Sequence, residues 1–334
     1  MSGMRPTGRL HIGHYFGALL NWVHFQNTYE SYFSIVDWHA LTTKYQASNE
    51  VKDNIFQIAL DWLCVGIDPE VSTIYVQSAV PEIAELHLLL SMITPQNWVE
   101  REPTLKDMVR MLAQDEEEAR AKATYGLLGY PVLMTADILT FKGQLVPVGK
   151  DQESHLEFAR DVARRFNHIY GVDYFPEPKP EFTSTPLLKG IDGQKMGKSY
   201  NNDIKIADTA DDTTKKVKQM ITDRTRIAKS DPGHTDLCEV PWPMYQVFAK
   251  EITPQVKDEC ESAKIGCVDC KLRLARYVNE FFAPFREKRD QLAKDPDRVW
   301  RLIRFGNEKA RSLAKQTLSD VIEIMGLVDW RKLQ

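Results

Sequence analysis

Residues 190–199 read Gly-Ile-Asp-Gly-Gln-Lys-Met-Gly-Lys-Ser, and residues 11–14 read His-Ile-Gly-His directly after the segment Ser-Gly-Met-Arg-Pro-Thr-Gly-Arg-Leu at residues 2–10. We call residues 190–199 the lysine loop and residues 11–14 the histidine motif. Either motif alone carries little weight, because histidine pairs usually pack and lysine-bearing turns are usually solvated. Their order, their wide separation along the chain and the flanking glycines together argue against a chance pairing.

The two motifs together resemble the ATP-handling motifs of class I aminoacyl-tRNA synthetases. The resemblance implies an amino-acid-activating enzyme with a Rossmann-type catalytic domain. His11 and His14 can donate hydrogen bonds to phosphate or ribose oxygens without carrying a fixed full charge. The catalytic residues that the resemblance implies are Lys195, Lys198, His11 and His14.

The chemistry of activation explains these residue types. A carboxylate joins the α-phosphate of ATP and pyrophosphate leaves, so negative charge builds on the leaving group. Lys195 and Lys198 can follow this charge and stabilise it most in the transition state. Gly193 and Gly197 leave the loop backbone free to close and reopen. Residues 13 to about 27 read as a helix, whose first N–H groups would face phosphate.

Composition places the chain among ordinary globular proteins, with 334 residues, 43% hydrophobic and 27% charged. That length predicts two domains, or one large domain with insertions. No apolar run is long enough to span a bilayer and the N-terminus lacks a signal-peptide pattern, so a cytosolic protein without a membrane partner is expected. Residues 1–200 hold 18 basic and 25 acidic residues (net −7), and residues 201–334 hold 25 and 22 (net +3). The second part therefore hints at a polyanion partner, although a solvated charged face gives the same count.

The order of elements predicts an α/β fold. Apolar runs at residues 31–37, 72–77 and 145–148 predict strands, and helices are predicted between them at 50–65, 81–92 and 153–170, the pattern of a parallel sheet covered by helices. After a Pro-rich connector at 175–186, helices are predicted at 209–222, 243–250, 271–292 and 296–325. We therefore predict a Rossmann-type catalytic domain at 1–200 with a surface or dimer insertion around 80–130, whose residues 101–125 are charged and helical in pattern, and a mostly helical domain at 201–334.

Five segments resemble tryptophanyl-tRNA synthetases specifically, at residues 2–22, 37–40, 130–139, 146–152 and 190–202, and the similarity extends over nearly the whole chain. It implies that Asp137 accepts a hydrogen bond from the indole N–H of tryptophan. The other tryptophan-binding residues implied are Tyr130, Met134, Gln152, His39 and Met4. The implied ATP site comprises Arg5, Pro6, Thr7, Gly13, His14, Gly149, Lys150, Asp151, Lys195, Met196, Gly197, Lys198 and Ser199, with Mg²⁺. A homodimer, with tRNA spanning both subunits, is implied as well.

The chemistry of Asp137 agrees with this role without proving it. Indole offers one donor and an ionised carboxylate is acceptor-only. The hydroxyl of tyrosine could satisfy the same carboxylate, so the size of the pocket has to add to the discrimination. Phenylalanine would leave a buried polar group unpaired and be rejected by a large factor, which makes a separate editing domain unnecessary.

Five cysteines in a cytosolic chain are expected to be thiols rather than disulfides. Cys64 lies in a predicted apolar helix stripe and is expected in the core. The other four, Cys238, Cys260, Cys267 and Cys270, fall in the second half, and the Cys267–Cys270 spacing is that of a chelating turn. Four thiolates suit zinc or an iron–sulfur cluster. A subset of tryptophanyl-tRNA synthetases has a similar arrangement and carries a [4Fe-4S] cluster in the anticodon-binding domain. Zinc and free thiols remain alternatives.

Several other functions share parts of this pattern. A tyrosyl-tRNA synthetase has the same fold. A small-molecule nucleotidyltransferase can share the histidine motif, but the lysine loop and the helical domain argue against it. A non-catalytic RNA-binding protein with a metal cluster is a third alternative, and the intact ATP motifs argue against it. The basic residues near the cysteines suit a tRNA backbone or a solvated helix face: Arg224, Arg226, Lys229, Lys271, Arg273 and Arg276.

Overall fold

Parallel strands form the frame of the N-terminal half. The computed structural model describes residues 1–149, 153–182, 188–197 and 200–333. Strands β1 (Ser2–Met4), β2 (Ser31–Ile35) and β3 (Ser72–Val76) pair in the order β1-β2-β3, and β4 (Leu145–Val148) pairs with β5 (Lys179–Phe182), all in parallel. The Met1 amino group donates to the Leu145 carbonyl oxygen at 3.0 Å, so β4 lies beside β1. The predicted α/β class is confirmed.

Helices connect and cover these strands. In the N-terminal half they are α1 (Ile12–His14), α2 (Leu20–Phe25), α3 (Asp37–Lys44), α4 (Ser48–Val65), α5 (Glu82–Ile93), α6 (Gln96–Arg101), α7 (Pro103–Arg110), α8 (Glu116–Lys122), α9 (Tyr125–Thr140) and α10 (Glu153–Tyr170), with a π-helical segment, Tyr15–Leu19, between α1 and α2. The later helices are α11 (Ala210–Gln219), α12 (Pro241–Phe248), α13 (Thr253–Glu261), α14 (Cys267–Ala293) and α15 (Pro296–Ile324). Within the described residues, no helix is long and apolar enough to cross a membrane.

Most predicted elements are present, and the differences have local causes. The connector predicted at 175–186 contains β5, because Lys179–Phe182 finds a parallel partner in β4 despite its two charged residues; residues 183–187 lie outside the described residues. The charged segment at 101–125 is helical as predicted and forms two short helices, α7 and α8. Helix α14 begins at Cys267, so the Cys267–Cys270 turn is the first turn of a helix.

Local sequence sets several element ends. All five residues of β2 are buried, as expected of a central parallel strand that is covered on both faces. Helix α4 ends at Gly66, whose φ of 107° few other residues adopt. Helix α7 starts where the Glu102 carboxylate accepts a hydrogen bond from the Leu105 amide, with Pro103 at the first helical position.

The last long helix returns to the N-terminal half and covers the open edge of β3. The Val76 amide donates to Asn307 Oδ1 at 2.8 Å, so a side chain of α15 satisfies a backbone donor of the edge strand. Gly306 allows this approach, since a Cβ there would lie 1.8 Å from the Ile74 carbonyl oxygen. The boundary predicted near residue 200 stays a prediction, but α15 packs on the N-terminal side of it.

A buried ion pair and a common core join α14 to the N-terminal half as well. Arg289 Nε donates to Asp61 Oδ1 at 2.7 Å, and the Asp61 side chain is fully buried. Burial raises the pKa of Asp61, and the Arg289 charge opposes that rise. The apolar cluster around the histidine motif includes Leu274 and Val278 from α14 together with Leu10 and Ile12. The two halves therefore share hydrophobic core, and removing one partner of the ion pair would leave a buried charge unpaired.

Gly306→Ala tests the contact between α15 and β3. The added methyl group would overlap the backbone of Ile74, so α15 has to move away from the strand. We expect the free energy of unfolding to fall by about 1–3 kcal/mol in urea titrations. The matched control is Gly126→Ala in α9, where the nearest atom would be 4.0 Å away and the change should be neutral or stabilising. Equal stability of the two variants would contradict the close approach.

Candidate active site

The histidine motif and the lysine loop are brought together by the strand-like segment that follows the loop. The Ile12 amide donates to the Ile204 carbonyl oxygen at 2.9 Å, and the Ile206 amide donates to the Leu10 carbonyl oxygen at 3.1 Å. Met196 of the loop is buried, and a Cβ on Gly13 would lie 3.7 Å from its sulfur. Two motifs that are far apart in sequence are thus neighbours in space.

One cavity of about 490 Å³, which we call the motif cavity, collects most of the predicted site residues that the structure describes. It lies where β1, β2 and β4 end and where α9 and α10 pass. Its wall includes the predicted residues Met4, Arg5, Thr7, His14, His39, Tyr130, Met134, Asp137 and Gly149. Of the other predicted residues, Pro6, His11, Gly13, Lys195, Met196 and Gly197 are described but are not part of that wall, and Lys150, Asp151, Gln152, Lys198 and Ser199 lie outside the described residues.

A second and larger cavity, of about 670 Å³, includes Phe25, Tyr29 and Lys142 in its wall. None of the predicted site residues in the described ranges lines it. Size alone would therefore select a cavity that none of those residues borders. The motif cavity is the candidate active site because the motif residues and a buried carboxylate converge on it.

Asp137 is the buried carboxylate of the motif cavity. It lies on α9, is 3% exposed, and its Oδ2 lies 2.9 Å from His39 Nε2. Gln77 Nε2 donates to both of its oxygens, at 2.8 and 2.9 Å. Gln77 was missed by the sequence analysis, although its place immediately after β3 is informative: ligands of open α/β sheets gather at the carboxyl ends of the strands.

A second buried polar group lies beside the Tyr130 side chain. The Tyr130 hydroxyl is 2.7 Å from His155 Nε2 and 3.5 Å from Glu102 Oε2, and Ser154 donates to Glu102 Oε1 at 2.8 Å. Burial alone would raise the pKa of Glu102, but the hydrogen bonds from His155 and from the Leu105 amide outweigh it and lower the pKa to about 2. Burial and the Glu102 charge raise the pKa of the Tyr130 hydroxyl, which stays protonated. Sequence reasoning found neither Glu102 nor His155, because their partners are distant in sequence.

The histidine motif forms a compact start to its helix. The His11 amide donates to His14 Nδ1 at 3.2 Å, and the ring centroids are 3.7 Å apart. His11 is buried, whereas His14 reaches the wall of the motif cavity. His11 is therefore packed in the interior, whereas His14 lies where it can contact a ligand.

Asn202 holds the described part of the lysine loop in its bent shape. Its Nδ2 donates to Asp192 Oδ1 at 2.9 Å and to the Lys195 carbonyl oxygen at 3.1 Å, and the Gly197 amide donates to its Oδ1 at 2.9 Å. Asn202 is 2% exposed, so these bonds are shielded from water. Sequence reasoning did not indicate this role, because an asparagine after a glycine-rich loop reads as a turn residue.

Gly193 lies in a close contact at the base of the lysine loop. Its φ is +83°, and a Cβ there would lie 2.5 Å from Ile221 Cδ1. The Ile221 amide donates to the Ile191 carbonyl oxygen at 2.9 Å, and Lys189 pairs with Glu239 at 2.6 Å. The base of the loop is thus anchored on residues 221–239, and the positive φ of Gly193 favours glycine at this position.

The four later cysteines lie close together, and whether they form the predicted metal site stays a prediction. All four line one small cavity of about 20 Å³, and all are thiols. Arg226 Nη1 lies 3.9 Å from Cys260 Sγ and 4.0 Å from Cys267 Sγ. Among the described residues no group of three or more His, Cys, Asp or Glu side chains is arranged to hold a metal ion. Cys64 is buried in α4, in the core.

Comparisons with known proteins agree with this arrangement. Residues 1–283 match the family model described as tRNA synthetases class I (W and Y). The chain is 42% identical to the tryptophan–tRNA ligase of Thermotoga maritima, over 98% of this chain and 99% of that protein, and 43% identical to that of Borreliella burgdorferi, over 98% and 93%.

Solved structures give the same result. A tryptophanyl-tRNA synthetase from Campylobacter jejuni, solved as a complex with ADP and tryptophan, superposes with a TM-score of 0.88 at 34% identity, over 98% of this chain and 99% of that one. A tyrosyl-tRNA synthetase from Archaeoglobus fulgidus shares the fold at a TM-score of 0.64 and 17% identity, covering 86% of this chain and 89% of that one. With its paired motifs beside a cavity that contains a buried carboxylate, the chain belongs to the tryptophan–tRNA ligase family of the class I tRNA synthetases.

Proposed function

We propose that the motif cavity binds tryptophan and ATP, that the protein makes tryptophanyl adenylate there, and that it then transfers the tryptophanyl group to tRNA. The observation that carries this proposal is Asp137: an almost fully buried carboxylate, surrounded by donors, in a cavity bordered by the histidine motif. A carboxylate so placed can accept the single N–H of an indole ring.

Within the tryptophan pocket, the proposed roles follow from side-chain chemistry. Met4 and Met134 supply apolar contact for the indole ring, and the rings of His39 and Tyr130, with centroids 6.3 Å apart, form a neighbouring part of the wall. Gln152, which lies outside the described residues, is proposed to line the same pocket. Asp137 accepts the indole N–H.

The ATP side is formed by the motif residues. Arg5 reaches the cavity and burial lowers the pKa of its guanidinium, which nevertheless remains a cation. The backbone at Gly13 begins a helix and can approach phosphate. The proposed ATP-binding residues are Arg5, Pro6, Thr7, Gly13, His14, Gly149, Lys150, Asp151, Lys195, Met196, Gly197, Lys198 and Ser199. Mg²⁺ is proposed to accompany ATP as the phosphate counter-ion.

The activation step balances as one displacement at phosphorus. A carboxylate oxygen of tryptophan forms a bond to the α-phosphorus, the bond to the bridging oxygen of pyrophosphate breaks, and its electron pair leaves with pyrophosphate. No proton transfer is required, so the enzyme has only to align the reactants and stabilise charge. Lys195 and Lys198 are proposed to do this at the leaving group, with His11 and His14 at the histidine motif.

Tryptophan-dependent exchange of pyrophosphate into ATP tests the proposed activity. Tryptophan should support exchange, and tyrosine at least about 100-fold less, because a pocket shaped for two fused rings discriminates by differential binding. tRNA charging with each amino acid is the accompanying measurement. Equal exchange with tyrosine would favour a tyrosyl enzyme, and exchange without tRNA charging would favour a nucleotidyltransferase.

Lys195→Ala should lower the single-turnover rate of adenylate formation by roughly 10²–10³ while leaving the Kd for tryptophan nearly unchanged. Its contact strengthens only as charge develops on pyrophosphate, as for a single oxyanion donor. Rapid-quench measurement of adenylate formation provides the rate. Lys215→Ala, an exposed lysine on α11 that pairs with Asp212, is the matched control. An unchanged rate in Lys195→Ala would remove this lysine from the catalytic set.

The C-terminal part is proposed to bind the tRNA anticodon region. Several of the basic residues near the four later cysteines already make contacts within the chain. Lys271 donates to the Lys218 carbonyl oxygen, and Arg273 pairs with Glu259. Such contacts fix the direction of a cation without removing its charge, so the surface can still meet phosphates.

A homodimer is proposed through the insertion around residues 80–130. The described part of α5 to α9 exposes large apolar side chains that a monomer would leave in water: Leu88, Met92, Met111, Tyr125 and Leu128. Such residues are typical of subunit contacts. A reducing, cytoplasmic setting is proposed because all five cysteines are thiols.

The four-cysteine cavity is proposed to hold a [4Fe-4S] cluster, with zinc as the alternative. Four thiols line it, which is the ligand set of either group. The cavity of about 20 Å³ is the size of one water molecule. A cluster needs more space than that, so the four side chains would have to move apart to hold one.

Cys267→Ser should abolish bound iron and sulfide and the visible absorption of anaerobically prepared protein. It should impair tRNA charging more than tryptophan activation, since none of the four cysteines lines the motif cavity. Cys64→Ala, which changes a core cysteine, should retain the iron. One stoichiometric zinc in the wild-type protein would support a zinc site instead of the cluster. Wild-type protein without any bound metal would show that the four cysteines are free thiols.

A further inference from the structure

The Gln77 side chain lies between a hydrogen-bond acceptor, the Asp137 carboxylate, and two hydrogen-bond donors, the amides of Trp38 and His39. It is fully buried, directly after β3. Its Nε2 lies 2.8 and 2.9 Å from the two oxygens of Asp137, and its Oε1 lies 3.1 Å from the Trp38 amide and 3.4 Å from the His39 amide. The side chain thus links the first turn of α3 to the carboxylate on α9.

The orientation of this amide is fixed by chemistry. Backbone N–H groups can only donate, so Oε1 has to face Trp38 and His39, and the NH₂ group has to face Asp137. The opposite orientation would set a carbonyl oxygen against a carboxylate and N–H groups against N–H groups. Gln77 therefore presents a permanent donor that does not depend on pH.

We propose that Gln77 is a positioning residue for tryptophan recognition: it holds the Asp137 carboxylate in one orientation and aims it at the indole N–H. The inference rests on the proposed role of Asp137. A carboxylate removed from water needs hydrogen-bond donors as partners. His39 is the other partner, and the role of its Nε2 depends on the tautomer, whereas the NH₂ group of Gln77 always donates. By holding the His39 backbone, Gln77 fixes the second partner as well.

The titratable groups that face Asp137 belong to three elements. They are His39 on α3, Tyr75 on β3 and His87 on α5. Burial raises the pKa of Tyr75 well above its usual range, and the Asp137 charge adds to that rise, so Tyr75 stays neutral. Burial lowers the pKa of His87, which is therefore neutral at ordinary pH. These groups are the same in the wild-type protein and in the variants below, so a pH effect confined to one variant has to arise from the substituted side chain.

Gln77→Glu is the decisive variant, because it preserves size and the acceptor for the two α3 amides and replaces only the donor to Asp137. The introduced carboxyl group would face Asp137 at hydrogen-bond distance. Two carboxyls so close share one proton, with an apparent pKa raised above the ordinary range. Below that pKa the shared proton restores a donor to Asp137; above it the two charges repel and the pocket loses its shape.

We expect Gln77→Glu to raise the Kd for tryptophan at pH 8 by at least about tenfold, and to recover towards the wild-type Kd as the pH falls to about 5.5, measured by equilibrium dialysis without ATP. The wild-type Kd should change less than about threefold over that range. Gln77→Met, which has neither donor nor acceptor, should raise the Kd at every pH without recovery. The KM for ATP should stay nearly constant in both variants.

Gln26→Glu is the matched control. Gln26 is also buried, donates from Nε2 to the Gly66 carbonyl oxygen and accepts from the Asp68 amide, away from Asp137. It should lower the thermal midpoint while leaving the tryptophan Kd unchanged. If the Gln77 variants do the same, with lower midpoints and wild-type Kd values, Gln77 is only structural and the inference is wrong.

Asp137→Asn separates this inference from the function on which it rests. We expect it to lower kcat/KM for tryptophan by roughly 10–100-fold, since a hydrogen bond to a charged group contributes about 1.5–3 kcal/mol. An impaired Asp137→Asn beside an unaffected Gln77→Glu would overturn the role of Gln77 alone. Wild-type kinetics in Asp137→Asn would overturn the role of Asp137 and the positioning role with it.

Discussion

The short antiparallel pairing between residues 10–12 and 204–206 is the contact on which the candidate active site depends. Two backbone hydrogen bonds, at 2.9 and 3.1 Å, join the histidine motif to the segment after the lysine loop. The side chains of Leu10, Ile12, Ile204 and Ile206 lie in one apolar cluster, so the bonds are shielded from competing water. Without this pairing the motifs would be separate loops with no shared ligand.

Two buried carboxylates of the N-terminal half have several hydrogen-bond partners each. Asp137 has Gln77 and His39, and Glu102 has the Leu105 amide, Ser154 and the nearby His155. A buried charge without partners would cost several kcal/mol, so such networks fix one arrangement of the helices that carry them. The same bonds that stabilise the fold therefore prepare the pocket before a ligand arrives, which lowers the ordering cost of binding.

The lysine loop lies beside the histidine motif and also rests on the C-terminal part. The Ile191 carbonyl oxygen accepts a hydrogen bond from the Ile221 amide, and Lys189 pairs with Glu239. Cys238 lies on the segment between Ile221 and Glu239. The Arg289–Asp61 ion pair and helix α15 add two more connections between the halves. The C-terminal part is thus packed continuously against the N-terminal sheet.

Local signals in the chain are enough to predict the α/β class and most helices and strands to within a few residues, because hydrophobic period, capping residues and glycines act over short distances. Which residues meet follows from the folded molecule alone. Helix α15 closes the edge of β3, Glu102 and His155 join Tyr130, Asn202 shapes the lysine loop, and Gln77 faces Asp137. The side chains that make these contacts are polar or small, so they add nothing to the periodic apolar patterns that predict helices and strands. Their roles come from contacts that join distant parts of the chain, as between Asn307 and Val76, and only folding brings such residues together.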